Sequence, residues 1–302
     1  MILLLLIAAQ TSWTGHEGTV TALCYFRDGK TLASGGKDGN VILWDTTKGK
    51  VIHRFTGHRD MITGLAVAPD GAWLAVSSHD SEIALWDTKT RKKRHSLRGH
   101  AKDVRGLAIS PDGKRLASAG VDGTVRLWNP ESGECVSTLK GHTDPVNCVA
   151  FSPDGTRLAS AGWDATLRLW KEDKAEQVLK GHTDFIRDIV FSPDGKYLYS
   201  AGKDGVIRRW EVTTGKCVAR WKASDGLVRS LALRADGRVL ATAARDGTLT
   251  QWDTATGKAQ TTTQRAVLGV LTVAYSPDGK TLATGGIGRK VVLFDPTKMP
   301  EE

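Results

Sequence analysis

Histidine and aspartate recur at fixed distances along this 302-residue chain. His16, His58, His100, His142 and His182 each follow a glycine, and each stands 28 residues before a tryptophan: Trp44, Trp86, Trp128, Trp170 and Trp210. Six residues before those tryptophans, and before Trp252, stand Asp38, Asp80, Asp122, Asp164, Asp204 and Asp246. A histidine within reach of a serine and an aspartate is the constellation of nucleophilic catalysis, where the imidazole takes the hydroxyl proton and the carboxylate orients the ring. An active site needs such a set once. Repetition at constant spacing is what a structural strut requires, so no catalytic role is assigned to these positions. Other site chemistry is missing from the chain. There is no G-x-x-x-x-G-K phosphate loop and no His-Glu-x-x-His. Cys24, Cys135, Cys148 and Cys217 show neither Cys-x-x-Cys spacing nor paired histidines, and read as small buried hydrophobes rather than a bridge or a metal site. Neither cofactor nor metal is expected.

The elements that must hold these residues follow from the same period. Successive tryptophans, with Phe294 in the seventh place, are 42 residues apart five times and 40 once. Between them an Arg-Asp-Gly turn at 27–29 returns as Pro-Asp-Gly starting at 69, 111, 153, 193 and 277, and as Ala-Asp-Gly at 235. Asp-Gly between apolar runs marks a hairpin, because glycine accepts a positive φ without a Cβ clash. A second such turn carries the aspartates before each tryptophan. Each unit therefore holds three clear strands, such as VTALCYF, TLASGG and NVILWD, and a fourth such as KVIHRFT. They alternate with a period of two, and no helical stripe occurs. The fold class is all-β. A lone four-stranded sheet leaves apolar faces bare, and twisted sheets stacked side by side fan round an axis, so seven units close into a propeller. The last unit lacks its fourth strand, while AAQTSWTGH at the amino end aligns with VIHRFTGH one period later. Residues 9–14 are expected to supply the outer strand of the seventh blade and lock the ring. One domain is expected over 9–298, with repeats starting near 15, 57, 99, 141, 181, 223 and 265, and a tail over 299–302.

With Gly-His, Asp-Gly and Trp-Asp in GHRDMITGLAVAPDGAWLAVSSHDSEIALWD and six sister segments, the chain resembles the WD-repeat β-propeller family over residues 9–298. The resemblance implies a buried network of His, Ser or Thr, Asp and Trp within each blade. It is complete in four units: His16, Ser34, Asp38 and Trp44; His100, Ser118, Asp122 and Trp128; His142, Ser160, Asp164 and Trp170; and His182, Ser200, Asp204 and Trp210. The second unit keeps His58, Asp80 and Trp86 but has Val76 in the hydroxyl position. The sixth keeps Thr242, Asp246 and Trp252 with Ser224 for histidine, and the seventh keeps only Thr284 beside Ala266, Gly288 and Phe294. Blades 6 and 7 are expected to be the soft part of the ring.

Lys and Arg number 42 against 33 Asp and Glu, a formal charge of +9, which favours anionic partners. The run MILLLLIAAQ is too short to span a bilayer and carries no charge. It reads either as a signal segment cleaved near Ala9 or as an apolar leader to the first strand, and the compartment, cytoplasm or export, turns on that choice. No membrane span and no small-molecule substrate are expected, and the chain is expected to be a monomer.

Function should sit where the repeat is broken at exposed positions. The resemblance places partner docking on the face that carries the turn before each Trp strand and the start of each first strand. There the chain has Lys37, Met61, His79, Arg105, Trp163, Phe185, Arg187, Lys203, Arg229 and Arg245. Exposed aromatics ringed by arginine have the composition of a binding hot spot, the arginine forks suiting carboxylate or phosphate and the indole offering a flat apolar seat. Arg105 either extends this site or pairs with Asp103. The function expected is a protein-interaction scaffold, not an enzyme, that holds an acidic or phosphorylated partner protein or peptide. The second reading is nucleic acid or another polyanion on the basic rim.

Overall fold

The computed structural model describes residues 11–263 and 269–299, and every regular element in them is a β-strand. Twenty-eight strands, β1–β28, form seven four-stranded antiparallel sheets. Blade 1 consists of β2 (Val20–Tyr25), β3 (Thr31–Gly36), β4 (Val41–Asp45) and β5 (Lys50–Phe55). Blades 2 to 6 repeat that order over residues 62–97, 104–139, 146–180, 186–222 and 228–263. In blade 7, β26 (Val270–Tyr275), β27 (Leu282–Gly286) and β28 (Lys290–Phe294) are completed by β1 (Thr11–Thr14). The closing register pairs Thr11 with Leu293 and Trp13 with Val291. Residues 9 and 10 of the expected closing strand, the leader 1–8, Ala266 and residues 300–302 lie outside the described residues.

The core lies between blades. Phe26, Leu43 and Phe55 of blade 1, for example, pack with Ile62, Leu74 and Val76 of blade 2. Burying each such side chain contributes roughly 1.5–3 kcal/mol, so a blade without its neighbours would lose most of its stabilisation. Second strands, pressed between two blades, do not alternate: Trp73–Ser78 of blade 2 is buried at every position. Their Ala, Ser and Gly content follows from that crowding. First strands approach closest, and a Cβ on Gly106 would meet the Cys148 backbone of blade 4 at 2.9 Å.

Fourth strands form the outer edge, with one face in water. Of the four cysteines, therefore, only Cys148 is fully buried; Cys135 and Cys217 lie exposed on outer strands and Cys24 is half-buried, correcting the expectation of four buried thiols. The turn before each Trp strand needs a left-handed residue, supplied by Gly39 at φ 72° in blade 1 but by Ser81 at 66°, Ala165 at 58° and Arg289 at 59° in blades 2, 4 and 7. Among the described residues no helix is long and apolar enough to cross a membrane.

Candidate functional site

The His–Ser–Asp sets form proton chains with a fixed direction. In blade 1 the Trp44 indole donates to Ser34 Oγ at 2.7 Å, the hydroxyl lies 2.8 Å from His16 Nε2, and His16 Nδ1 lies 3.0 Å from Asp38 Oδ2. Blades 3, 4 and 5 repeat it: the His-to-Ser distances are 2.7, 2.8 and 2.7 Å for His100, His142 and His182. Because tryptophan only donates and carboxylate only accepts, in blades 1, 3 and 4 the serine donates to Nε2 and Nδ1–H donates to aspartate. In blade 5 Arg208 Nη1 also lies 2.8 Å from His182 Nδ1 and donates to Asp204 at 2.7 Å. This is the hydrogen-bond order of a hydrolytic triad, but Ser34, Ser118, Ser160 and Ser200 have no exposed surface. The sets bond the strands of one blade to one another away from solvent, as struts would. Burial pushes the Asp164 carboxyl up, but the hydrogen bonds it accepts from His142 and Thr166 outweigh it and hold the group at about 2. Burial lowers His16 and His182, so these two imidazoles favour the neutral form.

The incomplete blades show what the missing members did. With Val76 in blade 2, His58 Nε2 and Trp86 Nε1 are buried without a partner, while His58 Nδ1 still lies 2.9 Å from Asp80. In blade 6 Ser224 reaches Asp246 at 3.1 Å and Trp252 donates to Thr242 at 3.0 Å. Thr284 of blade 7 has only the Val292 carbonyl, at 3.4 Å, and Phe294 is buried in the indole's place.

The candidate binding residues arise from a β-bulge. In every blade the register slips at one residue of the first strand: Thr21, Thr63, Arg105, Asn147, Arg187, Arg229 or Leu271. A bulge re-aims its side chain, here towards the mouth of the axial channel. Where that residue is short and polar it ties down the next blade: Thr21 Oγ1 donates to the Ile62 carbonyl at 2.6 Å, and Asn147 Nδ2 to the Ile186 carbonyl at 2.6 Å. Where it is arginine in blades 5 and 6 the following residue takes over, Asp188 accepting from Leu231 N at 2.8 Å and Ser230 from Val273 N at 3.4 Å. Arg187 and Arg229 are thereby released from stitching the ring.

A depression of about 330 Å³ at this mouth is lined by Met61, His79, Arg105, Trp163, Phe185, Arg187 and Arg229, together with Leu227 and Leu271. Three sequence candidates stand outside it. Lys203 pairs with Asp184 at 3.1 Å and lies over Phe185, Arg245 acts on Arg229 through its charge, and Lys37 is exposed on blade 1. Trp163 is 47% exposed, yet it offers no free flat seat: Phe185 stacks on it with centroids 5.6 Å apart and Arg105 lies over the ring at 5.5 Å. Asn147, which the sequence did not mark as a site residue, fixes the group by accepting from the Trp163 indole at 3.1 Å and from Arg105 Nη1 at 3.3 Å. Arg105 thus turns to Trp163 rather than ion-pairing with Asp103, whose carboxylate lies 3.9 Å from His79 Nδ1.

Among the described residues the mouth arginines make no direct ion pair, although the charge of Asp103 acts on Arg105 and that of Arg187 on Asp188. Arg94, Arg98, Arg157, Arg208 and Arg234 are ion-paired, whereas among the described residues Arg105, Arg187 and Arg229 are not. Nε of both Arg105 and Arg229 is buried without a hydrogen-bond acceptor. Burial, and then the charge of Arg187, lowers both guanidinium groups below the usual arginine range. Below the mouth, the channel wall carries Cys148 and Asp188, a pairing the sequence did not reveal. Burial raises the Asp188 carboxyl above the usual range. Among the described residues no cluster of three or more metal-ligating side chains occurs.

The family model described as IFT122 first beta-propeller matches residues 124–299, more than half of the chain. That of the WD domain, G-beta repeat, matches residues 8–45, 49–87 and 91–129. The small ribosomal subunit protein RACK1y of Oryza sativa subsp. japonica is 47% identical over 45 residues, 15% of this chain and 13% of that relative. The small ribosomal subunit protein RACK1z of Arabidopsis thaliana is 43% identical over 44 residues, 15% of this chain and 14% of that relative. The chain therefore covers 13% to 14% of the length of these curated relatives. With WD-repeat matches within residues 8–129, a propeller match over 124–299 and seven four-stranded blades in a closed ring, the chain belongs to the WD-repeat β-propeller family.

Proposed function

We propose that this chain is a protein-interaction scaffold that receives an acidic or phosphorylated segment of a partner protein in the depression at the axial mouth. The observation that carries the reading is the meeting there of Arg105, Arg187 and Arg229, none in a direct ion pair among the described residues, beside a pre-stacked aromatic pair. Guanidinium forks held in place can each make two parallel hydrogen bonds to a carboxylate or phosphate. Asn147 already orders Arg105 and Trp163, so little side-chain freedom is left to lose on binding. Apolar Met61, Leu227 and Leu271 suit one bulky side chain of the ligand beside its anionic group.

An array of acidic and phosphorylated peptides, probed at two salt concentrations, tests this against Trp163→Ala and the double change Arg187→Ala, Arg229→Ala. Binding that weakens with salt and is lost in both variants at an unchanged melting temperature supports the site. Peptide binding indifferent to both variants would place the scaffold's docking surface elsewhere. Binding of RNA but of no peptide would favour the polyanion reading instead.

A further inference from the structure

A second break in the repeat lies on the opposite face, among the turns that join first to second strands and third to fourth strands. At the first position of the first-to-second turn, five of seven blades have proline and blade 6 has Ala235; blade 1 has Arg27. In the third-to-fourth turn, Gly49, Gly133, Gly215 and Gly257 hold positive φ angles of 64° to 77°, and blade 2 places Arg91 at φ 64° in the same role. The backbone bond is also the same: Arg91 N donates to the Asp87 carbonyl at 3.0 Å as Gly133 N does to Asn129 at 2.8 Å. Glycine is favoured there for space as well as for φ. A Cβ on Gly133 would stand 2.8 Å from His95 of the preceding blade, and one on Gly215 would stand 2.3 Å from Gln177. An arginine at such a position breaks a local rule without helping the fold, and breaks of that kind concentrate at functional sites.

Arg27 and Arg91 both line one groove of about 290 Å³ between blades 1 and 2, whose floor is Phe26 and Leu43 and whose wall is Ile52, 43% exposed. Among the described residues neither guanidinium makes an ion pair or a hydrogen bond. The two aspartates beside them are engaged in their own turns, Asp28 accepting from Lys30 N at 2.8 Å and Asp70 from Ala72 N at 2.9 Å.

We propose that this groove is a second docking site, separate from the axial mouth, for an extended segment of a partner protein in which a carboxylate side chain neighbours an aliphatic one. The carboxylate is held between Arg27 and Arg91, and the aliphatic side chain lies on Ile52 over the apolar floor. The two unpaired guanidinium groups select the acid, since Asp28 and Asp70 of the same lining are held in their own turns, and the apolar floor selects its neighbour. A propeller with occupied sites on both faces would bridge two partners.

The test uses fluorescein-labelled octapeptides carrying Asp or Glu next to Leu or Ile, read by fluorescence anisotropy. Arg27→Pro and Arg91→Gly restore what the sister blades have, so both variants keep the fold, and Arg91→Gly should unfold no earlier than the native chain. Each is expected to weaken binding at least fivefold, and the pair together at least about twenty-fivefold, while Arg187→Ala with Arg229→Ala leaves these peptides bound. The proposal is overturned if no octapeptide binds the native chain, if the paired variant binds as well as native, or if only the Arg187 and Arg229 changes release the peptide.

Discussion

Val76→Thr should make this protein more stable, although it places a hydroxyl in a fully buried position. Blade 2 holds an orphaned acceptor, His58 Nε2, and an orphaned donor, Trp86 Nε1, where the complete blades have one serine bonded to both at 2.7–2.8 Å. Threonine already fills the equivalent place in blade 6, accepting from Trp252 at 3.0 Å. Each hydrogen bond formed contributes about 1 kcal/mol net, and satisfying a buried orphan recovers part of a penalty of roughly 1–3 kcal/mol. Against this stands one lost methyl group, about 0.8 kcal/mol. The balance favours the variant by about 1–2 kcal/mol, or roughly 1.5–3 °C in melting temperature for a chain of this size. Urea unfolding with Val76→Ala as control is the assay, since alanine removes the methyl groups and restores no bond. If Val76→Thr destabilises as much as Val76→Ala does, the hydroxyl has found no partners and the strut argument is wrong.

Other consequences follow from the same geometry. Ala165→Gly and Ser81→Gly, at left-handed φ, should each raise stability by about 0.5–1 kcal/mol in urea titrations, the relieved strain exceeding the entropy glycine adds to the unfolded chain. The lowered carboxyl of Asp164 contributes stability that is complete above the ordinary aspartate range and lost as pH falls from about 4 towards about 2, so Asp164→Asn should flatten the acid limb of the stability curve. Asp188 has the opposite sign: its raised carboxyl favours the folded chain at low pH and opposes it as pH rises through the folded value. The stability of Asp188→Asn relative to the native chain should therefore increase with pH. Amide hydrogen exchange should be faster in blades 6 and 7 than in blades 3 to 5, whose struts are complete.

Much of the ring was legible because its determinants are local and repeated: a glycine after aspartate at each hairpin, and a tryptophan at a period of 42. The closing strand was legible because Trp13 stands where blade 1 has Phe55, three residues before a histidine. The depression was partly legible, since seven candidate positions meet there by virtue of their place in the repeat. What escaped is non-local. That Arg105 would turn to Asn147 rather than to Asp103 depends on a bulge in each first strand, which no residue type announces. The covered face of Trp163 depends on Phe185 arriving from the next blade. Cys135 and Cys148 read alike in sequence, and only strand order within the blade puts one at the rim and the other in the channel wall.

The central claim, that a partner segment is held at the axial mouth, is tested most directly by the indole ¹⁵N–¹H resonances during titration with the tightest peptide from the array, the Trp163 signal being assigned from its loss in Trp163→Phe. Trp163 is half exposed at the mouth, whereas the strut tryptophans Trp44, Trp128, Trp170 and Trp210 are buried within their blades. The account predicts that Trp163 shifts progressively and saturates while those four stay in place. A peptide that binds while Trp163 remains unmoved would contradict it.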